Sequence, residues 1–397
     1  VRRYRLRGGG AAPDFYDPAP QDTMENDTPE ARSRGRTAPL LAAGAMIVLI
    51  GCGFSDAATP PDEERSGPPI APSTSFGAPH RVIITTDIGG TDPDDMQSMA
   101  HALLYADVVD IVGLVSSPAN FAGDNGTVQN VLASIEPYER DYPVLSAWGD
   151  YPTPDSLRVV AKQGASRPAP AAGYKTPTEA SRWIIQQARR DDPRPLYVLA
   201  WGGTADIAQA VHDDPAIKSK IRVYSIAKQD RHADDYLLAK HPDLWWIRNL
   251  TTFRGMYLGG DQSGDLASTR FPQRHVKPYG AMGAYYPLNV YLTGGIGPTN
   301  GMKMGDTPSF MYLLNGDPND PSGESWGGRF VRPRPRTHPH LWSDVPDARY
   351  QETGTDNQLY KGARTVNVHR AAWLRDWQLR HQRTVTVESA TRRPTAE

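Results

Sequence analysis

The chain has 397 residues, enough for one large domain or two ordinary ones, and 39% of them are hydrophobic, so a sizeable core can form. Its 43 Lys and Arg against 45 Asp and Glu argue against a general nucleic-acid binder, which carries a basic excess. The 36 Gly and 36 Pro follow no period, which excludes a fibrous protein, and a single cysteine, Cys52, excludes an intramolecular disulfide.

Residues 1–30 are rich in Pro, Asp and Arg and show no apolar period. Arg32, Arg34 and Arg36 then precede an apolar run, residues 38–51, which closes on Leu49-Ile50-Gly51-Cys52. A basic segment, a short apolar segment and a small residue before a cut describe an export signal. The run is too short for a comfortable membrane-spanning helix. Its ending resembles a bacterial lipobox, which implies lipidation of Cys52 and an extracytoplasmic, lipid-anchored protein of the cell envelope; a buried Cys closing a core helix is the alternative. Met24 is a candidate start that leaves a signal of ordinary length. Residues 53–79, rich in Pro, Ser, Asp and Gly, read as a flexible tether.

The texture changes at residue 80, and the folded domain is expected over 80–382, followed by a polar tail, 383–397. Short apolar, β-branched runs predict strands at 81–86, 110–115, 143–145, 195–200 and 221–226. Helical spacing is found at 93–105, with Pro93 near the first turn, and again at 124–138, 178–190 and 204–212. After about residue 249 the pattern loosens into Gly- and Pro-rich loops, with helices at 308–314 and 371–382. Strand and helix alternate and the strands are apolar on both faces. The fold class is therefore α/β, a mostly parallel open sheet with helices on both faces, Rossmann-like. Ligands sit beyond the carboxyl ends of such strands, so the loops after residues 86, 115, 200 and 226 should converge on one pocket.

The first of these loops is Thr86-Asp87-Ile88-Gly89-Gly90-Thr91-Asp92-Pro93-Asp94-Asp95. Four carboxylates within nine residues repel and need a cation or shared protons to coexist. A cluster of hard oxygen donors suits Ca²⁺ or Mg²⁺. The spacing is not that of an EF-hand, and Gly89 stands where the haloacid-dehalogenase pattern needs a second Asp. The bland alternative is a solvated turn whose Asp residues, Asp92 above all, cap the next helix.

This loop resembles that of the nucleoside hydrolases, which open with a strand, then Asp-x-Pro-Gly-x-Asp-Asp, then a helix. Here Asp87-Ile88-Gly89 and Asp94-Asp95 are similar, with three extra residues between them. Asn120, in Ser116-Ser117-Pro118-Ala119-Asn120, falls where the family holds ribose. Trp201-Gly202-Gly203-Thr204-Ala205-Asp206 resembles a segment in which a backbone carbonyl, here that of Ala205, binds Ca²⁺. Gly305-Asp306 resembles a late His-Asp whose Asp completes the metal site. The extra loop residues, Thr252-Phe253-Arg254-Gly255-Met256-Tyr257 and Ser325-Trp326-Gly327-Gly328-Arg329-Phe330 are similar to a divergent, cellulose-binding Sde182-type branch of that family.

The resemblance covers about residues 81–382. It implies a hydrolase of nucleoside-type or related glycosidic bonds, with a nucleoside or saccharide as substrate and room for a homo-oligomer. Ca²⁺ is implied to be held by Asp87, Asp95, Asp306 and the Ala205 carbonyl, with Asp87 or Asp94 as general base. Arg254 is implied either to contact the leaving group or to form a surface salt bridge. Two departures stand out. Gly305 replaces the His that protonates the leaving base, and the family's Glu-x-Asn sugar-binding pair has only Asn249 as a counterpart. Trp201, Trp245, Trp246 and Trp326 support the rival expectation of a carbohydrate-binding protein without catalysis; Trp326, between Gly-rich turns, is the one expected to be exposed.

Overall fold

The computed structural model describes residues 79–90, 93–118, 126–167, 176–288 and 301–385. The first half of this part runs β1 (His80–Thr86), α1 (Asp94–Leu104), β2 (Val109–Ser116), α2 (Val128–Leu145), α3 (Pro154–Val159), β3 (Ala161–Gln163), α4 (Glu179–Ala188), β4 (Leu196–Ala200), α5 (Ala205–Asp213), β5 (Ile221–Ile226), α6 (Arg231–Lys240) and β6 (Trp246–Asn249). The second half holds α7 (Phe271–His275), α8 (Gly280–Tyr285), α9 (Thr307–Met311), β7 (Phe330–Val331), β8 (Leu341–Asp344), β9 (Glu352–Thr353), β10 (Leu359–Tyr360), α10 (Arg364–Asn367) and α11 (Arg370–Gln382).

Eight strands form one sheet in the order β3-β2-β1-β4-β5-β6-β8-β7, and β9 and β10 form a separate two-stranded ribbon. All pairs in the large sheet are parallel except β7 with β8. Every residue of β1 is buried: Val82, Ile83 and Ile84 as suits a central parallel strand, and Arg81 with its guanidinium donating to the Gln187 carbonyl at 2.6 Å. Side chains alternate across it: Val82 and Ile84 join a cluster with α1, α2, α9 and α11, while Ile83 joins one with α4, α5 and α6. Helices thus cover both faces, as expected.

Two expectations fail. Residues 143–145 are not a strand; they close α2, which continues through Pro137 and Pro143. Three apolar residues are too few to reveal a period, and as the last turn of a helix they bury Leu145 equally well. The third strand is Ala161–Gln163 instead, half-buried and paired with β2. The late region also contributes more than loops: β8 adds to the sheet beside β6. Its four residues, Leu-Trp-Ser-Asp, carry too little β-branched character to stand out.

Candidate functional site

Thr86 ends β1, and the chain turns at once. The Gly90 N–H donates to the Asp87 carbonyl at 2.9 Å. Gly89 has φ +94°, and a Cβ there would stand 1.9 Å from Asn130 Nδ2, so only glycine fits. That amide donates to the Ile88 carbonyl at 3.0 Å and ties the turn to α2. From the β4 side, Gly202 crosses the same turn: a Cβ on it would lie 2.9 Å from the Asp87 nitrogen. Asp87 is thereby buried at the carboxyl edge of the sheet.

Asp94 and Asp95 form the first turn of α1, where the helix dipole favours negative charge, and both are buried. Asp306 precedes α9 and is also buried. One carboxylate oxygen from each of Asp94, Asp95 and Asp306 lies within 4.8 Å of the others. The Thr86 hydroxyl donates to Asp95 Oδ1 and accepts from the Ile88 N–H at 3.0 Å. Burial pushes the Asp95 carboxyl well above the usual range, and the charges of Asp306, Asp87 and Asp94 push it further. Such a group gives up its proton readily only where a cation compensates the charge, and the donors present are the hard oxygens that Ca²⁺ and Mg²⁺ take.

Asp94 is held from the far segment. Its Oδ2 accepts from the Gly305 N–H at 3.2 Å and lies 3.4 Å from Lys303 Nζ. A Cβ at position 305 would come within 2.7 Å of that oxygen and 3.5 Å of the Phe253 ring. The missing His and the position of Asp94 are therefore one fact: any side chain at 305 would displace the carboxylate.

One residue that the sequence reading missed does the joining. Gln97, one turn beyond Asp94 on α1 and fully buried, donates to the carbonyls of Pro287 and Gly301, both at 2.8 Å. Its Oε1 accepts from the N–H groups of Lys303 at 2.8 Å and Met304 at 3.0 Å. The side-chain amide uses both donor protons and both acceptor positions on the strand of chain that delivers Asp306. Ser98 Oγ, 3.0 Å from Thr307 Oγ1, adds a further tie. The available signal was a polar residue inside an apolar helix, three positions after a candidate ligand.

The other predicted residues divide. Asn120, Asp92 and Cys52 lie outside the described residues. Ala205 is the first residue of α5 and is buried. Asn249 is fully buried and structural: its Oδ1 accepts from the Phe253 N–H at 2.8 Å and its amide donates to Tyr224 Oη at 2.9 Å. Arg254 Nη1 donates to Tyr257 Oη at 3.0 Å, and its guanidinium lies 4.4 Å from the Tyr360 ring centroid. It is thus packed on aromatic rings rather than extended over the surface.

Trp326 corrects the expectation of an exposed platform, since it is 3% exposed and belongs to the core. The glycines after it turn the ring inward: a Cβ at Gly327 would lie 2.2 Å from the Pro308 carbonyl, and Gly328 has φ +112°. Trp201 and Trp246 are buried as well, donating to Ser309 Oγ at 2.7 Å and Ser225 Oγ at 2.8 Å. Trp245 is half-buried, with the Arg222 guanidinium 5.4 Å from its ring centroid.

The chain has relatives among known families and structures. Residues 81–330 match the family described as cellulose-binding Sde182, nucleoside hydrolase-like domain. Among solved structures, the chain is similar to a nucleoside hydrolase-related protein from Saccharophagus degradans that is associated with carbohydrate metabolism. The two share 26% identity at a TM-score of 0.59, over 78% of this chain and 72% of that one. A purine-preferring ribonucleoside hydrolase from Gardnerella vaginalis matches at 14% identity and a TM-score of 0.44, over 77% of this chain and 98% of that one. No curated protein matches the chain.

Proposed function

The chain belongs to the cellulose-binding Sde182, nucleoside hydrolase-like family, and from that premise we propose that it is an exported, metal-dependent hydrolase of nucleoside-type or related glycosidic bonds. The observation that carries this is the buried meeting of Asp94, Asp95 and Asp306 at the carboxyl edge of the sheet, with Asp87 beside them. A core has no use for these carboxylates, since each pays a desolvation cost and repels the others.

Asp95, Asp306 and Asp94 or Asp87 would hold Ca²⁺, with the Ala205 carbonyl as a further donor. When bound, the ion would bring charge compensation, orient sugar hydroxyls and acidify water. The remaining work falls to the chain's own groups. Asp87, presented by the rigid end of β1, accepts the proton of the attacking water. The other carboxylates stabilise positive charge developing at the anomeric carbon. Asp94, held by the Gly305 N–H and Lys303, keeps a fixed place in that field. With glycine at 305 there is no imidazole to protonate the leaving group, so the activity should favour substrates whose leaving group needs little acid assistance. Asn120 and Arg254 are the proposed contacts for sugar and leaving group, and Cys52 is the proposed lipid anchor.

The second reading, a carbohydrate-binding protein without catalysis, is favoured by the same Gly305. One experiment separates the two. Purified protein is analysed for bound metal and assayed against nucleosides and chromogenic glycosides, with and without chelator, alongside Asp87→Ala and Asp95→Ala. The expected result is chelator-sensitive release lowered at least ~10³-fold in either variant, the scale seen when members of a catalytic unit are removed, and scarcely further in the double variant. Full activity in Asp87→Ala would refute the enzyme reading, and glycan binding without turnover would establish the second.

A further inference from the structure

At the outer end of the sheet, β7 runs antiparallel to β8, with Phe330 opposite Asp344 and Val331 opposite Ser343. Alternation along the strands then decides what shares a face. Phe330 points into the core and is fully buried. Arg329 and Val331 are turned the other way, next to Val345, the residue after β8. A groove of about 500 Å³ opens there, lined by Arg329, Val331, Val345, Pro346, Arg349 and Tyr350.

The polar side of this groove is built around one ring. Arg329 Nη1 donates to Tyr350 Oη at 3.0 Å. The guanidinium carbons of Arg329 and Arg349 lie 5.5 and 5.6 Å from the Tyr350 ring centroid. Asp347, also in the lining, pairs with Arg349 at 2.7 Å. Two guanidinium groups against one carboxylate leave the groove positive. The chain continues this character: residues 329–340 contain Arg329, Arg332, Arg334, Arg336, His338 and His340 and no Asp or Glu, and 332–337 are exposed. In a chain of formal charge −2 this is a concentrated cationic surface.

The geometry points to a binding site for an acidic polysaccharide, a polyuronate, in this groove and along the adjoining arginine-rich segment. Val331, Val345 and Pro346 form an apolar floor suited to the C–H face of a sugar ring. Guanidinium forks match planar carboxylates two hydrogen bonds at a time. The exposed arginines beyond the groove favour a polymer over a single sugar, since they extend the positive field past one ring. A concave apolar floor suits a sugar better than a lipid headgroup surface, and a single tyrosine is a poor stacking track for nucleic acid. The site's position adds to this. β8 is parallel to β6 and, through β5 and β4, to β1, so the groove opens on the same sheet edge as Asp87. Four strand spacings of about 4.8 Å put it roughly 19 Å away. The inference does not depend on whether the acidic centre cleaves a bond.

The test measures binding of the full chain to polygalacturonate, to neutral cello-oligosaccharide, to phosphatidylglycerol vesicles and to duplex DNA, at low and high salt. Polygalacturonate should bind best, and more weakly as salt rises. Arg349→Gln should raise its Kd at least tenfold with an unchanged melting curve, because Arg349 is largely exposed. Arg329→Gln should do the same, and Arg158→Gln, in a surface ion pair far from β7 in the chain, should do nothing. Equal binding of the neutral glycan, preference for vesicles or DNA, unchanged affinity in Arg349→Gln, or no polygalacturonate binding at all would each overturn the proposal.

Discussion

Two buried histidines show how much a single side chain can cost this fold. His101 on α1 and His381 on α11 flank the Trp377 ring, with centroids 5.4 and 5.0 Å from it. Neither ring nitrogen of His381 has a partner among the described residues. Burial holds its pKa down to about 3, and burial, with the charges of His381 and Arg380, also lowers that of His101. In the unfolded chain both titrate near ~6.5. As pH falls below that value the unfolded state takes up protons that the folded state refuses, so stability is lost below about pH 6.5, for His381 down towards 3. Each group contributes up to about 1.4 kcal/mol per pH unit in that window. The buried acids Asp95, Asp206, Asp234 and Asp344 have raised pKa values and act in the opposite sense. The measurement is therefore a difference. Between pH 6 and 4 the urea midpoint of His381→Leu should fall less than that of the parent chain, and parallel curves would refute the assignment.

Among the elements, α1 has the most to organise. It supplies two of the clustered carboxylates, and through Gln97 it fastens the chain on which the third arrives. Gln97→Met keeps the length and removes all four hydrogen bonds, leaving two carbonyls and two N–H groups unpaired. At roughly 1–3 kcal/mol for each such group, with partial relaxation, a loss of about 3–4 kcal/mol is expected. Chemical denaturation checks that figure. Hydrogen exchange should also quicken at residues 301–307 before the rest of the sheet, and a uniform change would show that Gln97 acts only on global stability. The elements that were legible in the sequence are those with a clear local signal: β1, β2, β4 and β5 as apolar, β-branched runs, and α1, α4 and α5 as stretches with helical apolar spacing. The errors fall on short segments. Residues 143–145 have too few side chains to show a period, and β3 and β8 are brief and half-buried at or near the sheet's ends. The acidic loop drew attention because carboxylates crowded after a buried strand repel one another, and Asp87, Asp94 and Asp95 are buried rather than set in a solvated turn. Gln97 offered only a faint signal as a polar residue within α1, and Lys303 none, because their partners lie some 200 residues away in the chain.

For the whole molecule, the sequence before residue 79 carries the expectation of a lipid anchor. Cys52 lies outside the described residues, and among those described no helix is long and apolar enough to cross a membrane. Membrane attachment through a lipid on Cys52 is the proposal that the sequence supports. Cys52→Ser should move the protein from the membrane pellet to the soluble fraction. Mass spectrometry of the parent chain should find a modified Cys52 at the N-terminus, and a cytosolic parent chain with residues 1–51 intact would refute the anchor.

The order of the large sheet has one more consequence, for how copies of this molecule meet. Its outermost strands are β3, three residues long, and β7, two residues long. A strand edge recruits another chain by offering a row of unpaired backbone groups, and these rows are too short to hold one. At β7 the sequence adds Arg329 and Arg332 on either side and Pro333 just beyond, a charged and proline-blunted margin. The sheet is thus fenced at both ends against growing into a neighbour, which suits a protein proposed to be held at high local density on a membrane surface.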